Sequence, residues 1–210
     1  MNIQIRNYNK FVLKMQKKLK NMEVCIISNN CIGGVLYHDL GLKFNSPTIN
    51  TLIYGQEFID FVENIKEFLN CELMYDKSSK EYPIGILSLP NEKIVHVHFL
   101  HNNNFEEAKL NWDRRKIRVD FDNLFIIYEH FNKYDDSILD KLDKLDLQKV
   151  IFTHKKFKHV KSSKYIRACR KEKSFGTILK FKNRISGRRN LYDYNIIKHI
   201  NKMDLKGATR

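Results

Sequence analysis

Short apolar runs alternate with amphipathic stretches through most of this chain. Residues 24–27 (VCII), 124–128 (LFIIY) and 150–152 (VIF) have no polar interruption, as strands buried on both faces of a parallel sheet do, and 84–89 (IGILSL) reads as a further buried strand. Helical spacing appears between them. Phe11, Val12, Met15 and Leu19 mark a helix over 7–20; Val35, Leu36 and Leu40 mark one starting near Cys31; Phe58, Phe61, Val62, Ile65 and Phe68 mark one over 55–70. Asn104 caps a helix carrying Phe105, Ala108, Leu110 and Trp112, and another spans 138–147. A short strand is expected at 72–75, ahead of a polar loop at 77–80. Residues 93–101 (KIVHVHFLH) alternate, with Val95, Val97, Phe99 and His101 on one face and His96, His98 and Leu100 on the other. Strands alternating with helices predict an α/β fold: three layers, a mostly parallel sheet flanked by helices.

From residue 155 the pattern changes. Two short alternating stretches, 165–169 and 177–181, read as strands, a helix follows at 191–200, and the tail after Lys202 is expected to be loose. The expected organisation is an α/β core over 1–154 with a basic, β-rich C-terminal extension over 155–210 packed on it, all one domain.

Composition narrows the class. A 210-residue chain with 42% hydrophobic residues and only three prolines is long and apolar enough to bury a core, which excludes disorder. Its four cysteines show no metal-ligand spacing, so reduced thiols and no metal or cofactor are expected. No apolar run approaches the roughly 20 residues of a membrane span and no signal-peptide core opens the chain, so a cytoplasmic protein is expected, with peripheral contact to the inner face of the membrane open. Charge is uneven. The net is +14, yet residues 1–105 hold 11 Lys or Arg against 10 acids, whereas 149–189 hold 15 against Glu172 alone. Such a block implies an anionic partner (nucleic acid, a membrane surface or a phosphate-bearing substrate) or else a solvated face. Phe157, Tyr165, Phe175 and Phe181 interleave it, as in single-strand nucleic-acid binders.

The candidate chemistry sits at strand ends. In open α/β sheets ligands bind beyond the carboxyl ends of the strands, which places Ser28, Asn29, Asn30 and Cys31 at a crevice. Cys31 starts a helix, where the dipole lowers a thiol pKa, so it reads either as a nucleophile or as a packing thiol; Cys25, within the strand, reads as packing. Backbone amides after Asn30, with Gly33 and Gly34 behind them, are placed to hold an oxyanion or phosphate. Ser46, Thr48 and Asn50 suit sugar hydroxyls, phosphate oxygens, or simply turns. His101, Glu129, His130 and His154 also fall at strand ends, giving a thiol, imidazole, carboxylate arrangement of Cys31, then His101 or His154, then Glu129. Beside Trp112, Arg114 and Arg118 share a helix face with Arg115 one step round, placed to grip a phosphate or to pair with Asp113 and Asp120. His96 and His98 have a two-residue spacing that a metal could share, without a third ligand nearby.

Taken in order, SNNCIGG (28–34), SPTIN (46–50), FLHNNN (99–104) leading into NWDRRKIR (111–118), DNLFII (122–127) and VIFTH (150–154) resemble a bacterial family of unknown function. Its members are assigned to exopolysaccharide or capsular polysaccharide biosynthesis. The resemblance covers about 24–154 and implies a pathway that uses nucleotide-activated sugars and lipid-linked phosphate carriers. It carries no assigned reaction. The resulting expectation is a transferase acting on an anionic activated sugar or lipid-linked sugar. In an acyl version Cys31 is the nucleophile and His101 or His154 the base; in a glycosyl version Cys31 is structural and the three arginines hold a diphosphate. A nucleic-acid-binding protein using 149–189, or a non-catalytic scaffold of the same pathway, are the alternatives.

Overall fold

The structure, a computed structural model, describes residues 2–78, 81–131, 135–171 and 176–207. Phe175, and Ser79 and Lys80 of the polar loop, lie outside the described residues. In chain order the elements are α1 (Ile3–Gln16), β1 (Cys25–Ser28), α2 (Ile32–Leu40), α3 (Gly55–Glu63), α4 (Ile65–Asn70), β2 (Met74–Asp76), β3 (Ile84–Ser88), β4 (Ile94–His98), α5 (Phe105–Lys116), β5 (Leu124–Glu129), α6 (Ser137–Lys144), β6 (Lys149–Thr153), β7 (Ser163–Tyr165) and α7 (Ile196–Gly207).

The uninterrupted apolar runs form one sheet in the order β1-β5-β6-β7, every pair parallel. Alternate side chains along each strand go to opposite faces. Cys25, Ile27, Ile126, Tyr128 and Ile151 join α3, α5 and α6 on one face; Ile26, Phe125, Ile127, Val150 and Phe152 join α1, α2 and α7 on the other. The protein is therefore α/β, with helices on both sides of a parallel sheet.

The strands between α4 and α5 form a separate sheet, β2-β3-β4, wholly antiparallel. The connections explain this. Parallel pairing needs a crossover of a dozen or more residues, and no helix lies between these strands. Val95 and Val97 point into the core while His96 and His98 are half-buried, as the alternation predicts. Leu52 bridges His98 in antiparallel fashion, and Ile53 N donates to Asn29 O at 2.9 Å, so residues 52–53 stitch the second sheet to the end of β1.

Local departures have local causes. The helix expected over 55–70 breaks at Asn64, whose side chain donates to Asp60 O at 2.8 Å in competition with the helical ladder. The helix expected over 7–20 starts earlier, where Asn2 Oδ1 accepts from Gln4 N, and ends at Gln16. The two C-terminal strands become the edge strand β7 and 3-10 turns at Arg167–Cys169 and Thr177–Leu179. Ile166 and Cys169 reach the core three residues apart, a spacing that a 3-10 turn satisfies and an extended strand does not. A third such turn, Asn190–Asp193, takes the start of the helix expected at 191–200, leaving α7 to begin at Ile196. Residues of this segment, among them Ile178, Leu191 and Ile200, complete the second face of the parallel sheet.

Asp39 is fully buried on that face. Tyr8 and Tyr192 donate their hydroxyls to its two carboxylate oxygens, and Arg189 Nε lies 3.5 Å from Oδ2. Among the described residues, no helix is long and apolar enough to cross a membrane.

Candidate functional site

β1, β5 and β6 run parallel, so the residues that follow them gather along one edge. After β1 the chain makes a turn whose polar side chains are spent on the turn itself. Asn29 Oδ1 accepts from Glu129 N at 2.9 Å and Asn29 Nδ2 donates to Glu129 O at 3.2 Å, a two-way bond that locks the ends of β1 and β5 together. Ser28 Oγ donates to Asn30 O at 2.7 Å and accepts from Gly33 N at 3.1 Å. Asn30 Oδ1 accepts from Ile32 N at 3.0 Å, while Asn30 Nδ2 donates to Glu129 Oε2 at 2.5 Å. The amides of Ile32 and Gly33, expected to be open to an oxyanion or phosphate, are thus capped from within the turn. Thr48 Oγ1 accepts from Ser28 N at 3.1 Å and Ser46 Oγ lies 3.1 Å from it, so Ser28, Asn29, Asn30, Ser46 and Thr48 form a buried, mutually bonded floor.

The two glycines of SNNCIGG permit this packing. A Cβ on Gly33 would collide with the Ser28 side chain, and one on Gly34 would lie 2.6 Å from Asn50 Oδ1. Asn50 itself is exposed in a left-handed conformation, φ 62°.

On this floor, Cys31 Sγ lies 3.2 Å from His101 Nε2, at hydrogen-bond distance for a thiol and a neutral imidazole. Cys31 is half-buried and His101 exposed, so the pair is open to solvent. His101 is not at the end of a strand. β4 stops at His98, and His101 lies in the connection to α5, which Phe99 N anchors to Pro83 O at 2.9 Å and the Asn104 cap closes by accepting from Glu107 N at 2.8 Å.

The thiol is not activated in the way its helix position suggests. Burial raises the Cys31 pKa and the Glu129 carboxylate adds to the rise, which together outweigh the lowering by its local backbone hydrogen bond. Cys25, buried in β1, is pushed up to about 12 by desolvation and donates to Asn45 O at 3.4 Å, a packing thiol.

The remaining predicted residues separate into groups. His154 lies at the end of β6, ring-stacked on His130 at 5.6 Å, and it is His101 that meets Cys31. His130 Nε2 lies 3.0 Å from Asp136 Oδ1, and burial lowers its pKa. Glu129, His130, Thr153 and His154 with Cys169 line a cavity of ≈ 10 Å³, about the room of one water. Trp112 is 1% exposed and packs against Phe61 and Phe99 in the core. Arg115 donates to Ile49 O at 3.4 Å and lies over the Phe44 ring; Arg118 donates to Phe44 O at 3.2 Å; Arg114 donates to Asn111 Oδ1 at 2.9 Å. Two of the three arginines therefore clamp the 44–50 loop. Asp113 pairs with Lys116 at 3.0 Å and Asp120 accepts from Asp122 N. His96 faces Glu57 at 3.1 Å, and among the described residues no group of three or more His, Cys, Asp or Glu is placed to hold a metal ion.

Sequence reasoning missed the Asp39 network, whose partners Tyr8, Arg189 and Tyr192 are far apart in the chain, and the meeting of the lysines in and just after α1 with those of α7, which lie some 180 residues further on.

Fold and site together define an α/β protein with a thiol–imidazole pair at the carboxyl edge of a parallel sheet. The chain belongs to the family described as a domain of unknown function, DUF1919, whose model matches residues 2–201. It is 34% identical over 168 residues to an uncharacterized protein of Haemophilus influenzae, a match that covers 80% of this chain and 79% of the other.

Proposed function

We propose that this protein is a cysteine-dependent acyl transferase acting in bacterial surface-polysaccharide synthesis, on an anionic activated sugar or lipid-linked sugar. The observation that carries the reading is the 3.2 Å contact between Cys31 Sγ and His101 Nε2 at a solvent-open edge. A thiol that is neutral at rest needs a base, and His101 supplies one. As Sγ attacks an acyl carbonyl carbon, the thiol proton passes to His101 Nε2 and the S–C bond forms. The bond to the leaving group breaks and that group takes the proton from His101. An acceptor hydroxyl then gives its proton to His101, attacks the thioester carbon and releases Cys31 as the thiol. The polar floor fixes the nucleophile: Asn30 ties its turn to Glu129, and Ser28 holds the first turn of α2. The pathway comes from the motif resemblance. The glycosyl version draws less support, since Arg115 and Arg118 already bond the carbonyls of Ile49 and Phe44.

The test is acyl trapping. Incubation with p-nitrophenyl acetate, followed by peptide mass mapping, is expected to place an acetyl group on Cys31, and Cys31→Ala to abolish it. His101→Ala is expected to slow acylation by about 10²–10⁴-fold, the usual worth of a general base. Acylation that ignores His101, or a Cys31→Ser variant that keeps full polysaccharide output in cells, would refute the reading and favour a non-catalytic scaffold.

A further inference from the structure

A basic groove lies between α1 and α7, remote in sequence from the motifs of the thiol site. Two clefts of ≈ 560 Å³ and ≈ 370 Å³ are continuous with each other, since both are lined by Lys18, Asn195 and Ile197. Asn201 fixes the walls: its Oδ1 accepts from Lys20 N at 2.8 Å and its Nδ2 donates to Lys18 O at 2.8 Å, joining α7 to the end of α1. Lys14, Lys18, Lys20, Arg188, Lys198 and Lys202 line the two clefts. The one carboxylate among the lining residues, Asp193, is paired with Lys182. Phe11, Met15, Ile196 and Ile197 supply an apolar floor.

This charge arrangement favours an anion. Lys198 and Lys202 are four residues apart on α7, a spacing at which like charges on a helix repel, and Lys18, in the turn just after α1, lines both clefts, the smaller together with them. An anion between them converts repulsion into attraction. The size of the larger cleft is that of a small-molecule site, and a lysine rim over an apolar floor matches an ester with phosphate at one end and apolar or ring atoms at the other. We infer that the α1/α7 groove binds the phosphate or diphosphate group of such an ester, with the non-phosphate part against Phe11, Met15 and Ile197. The site stands apart from the Cys31 chemistry, takes only Arg188 of its lining cations from the basic 149–189 segment, and holds whether or not Cys31 is a nucleophile.

The test uses the full chain and two probes: inorganic pyrophosphate by calorimetry, and vesicles of phosphatidylcholine with or without phosphatidylglycerol by co-sedimentation. Wild type is compared with Lys18→Glu/Lys198→Glu and with a control of equal net charge, Lys43→Glu/Lys77→Glu; all four lysines are exposed. The groove variant is expected to lose at least about tenfold in affinity, at roughly 1 kcal/mol per cation, and the control to bind as wild type. Pyrophosphate binding alone identifies a soluble ester; binding to anionic vesicles identifies a lipid headgroup; either outcome supports the site. Absence of binding to both probes, or equal losses in both variants, overturns it. So does binding of a single-stranded oligonucleotide that only the groove variant loses while both phosphate probes stay inert, which would assign the groove to nucleic acid instead.

Discussion

At the scale of single residues, the thiol of Cys31 is governed by its surroundings more than by its place at a helix start. Burial and the Glu129 carboxylate both raise its pKa. Alkylation by iodoacetamide is therefore expected to be slow at neutral pH and to accelerate only above the ordinary thiol range, with the buried Cys25 and Cys169 unlabelled. Glu129→Gln removes a negative charge and is expected to move the Cys31 labelling midpoint down; an unchanged or higher midpoint would remove Glu129 from the account. Histidines give a second pH dependence. Burial lowers the pKa of His98, His130 and His199. A group depressed in the folded state stabilises fully above its unfolded value, about 6.5 for histidine, and that stability is lost as pH falls through the folded value. Urea midpoints are accordingly expected to drop between about pH 7 and pH 5, and His199→Gln to flatten the fall. The sequence placed Cys31, Glu129 and His130 at strand ends, but not the sign of the thiol shift, because burial depends on what the fold packs around Cys31, His101 from 70 residues away among it.

At the scale of elements, the turn from β1 into α2 is built by close approach. Gly33→Ala forces a methyl group into the Ser28 side chain that caps the same helix, and a loss of about 1–3 kcal/mol in urea unfolding is expected, typical of overpacking. Asn104→Ala, at the exposed cap of α5, is expected to cost about 1 kcal/mol. β1, β5, β6, α2 and α5 were legible as sequence because apolar runs and a cap residue are local signals. The break at Asn64 and the 3-10 turns after β7 were not. In the first case a side chain competes for one backbone carbonyl; in the second, tertiary burial of Ile166, Cys169 and Ile178 overrides a weak alternating pattern.

At the scale of the whole molecule, the thiol and the imidazole belong to different sheets: Cys31 follows a strand of the parallel sheet, and His101 follows the last strand of the antiparallel one. Their meeting depends on how the two sheets pack. Leu73, which fills the space above Gly85, is a test of this. Leu73→Ala is expected to cost about 2–5 kcal/mol and to reduce acylation of Cys31 without altering any residue of the parallel sheet; undiminished acylation would show that His101 is held independently of that packing. This long-range meeting is also why the sequence left His101 and His154 as equal candidates, since both follow strand-like segments and only the packing of two sheets separates them. The buried Asp39 extends the same logic to the order in which the chain is made. Its partner Tyr8 precedes it in the chain, whereas Arg189 and Tyr192 follow it by some 150 residues, as do the α7 residues that cover Phe125 and Phe152. Until they are translated the carboxylate has only one of these three partners and α1 and α2 alone cover that face of the parallel sheet, so the nascent chain cannot finish this side of its core as the earlier strands emerge and completes it only after Tyr192 and α7 have been made.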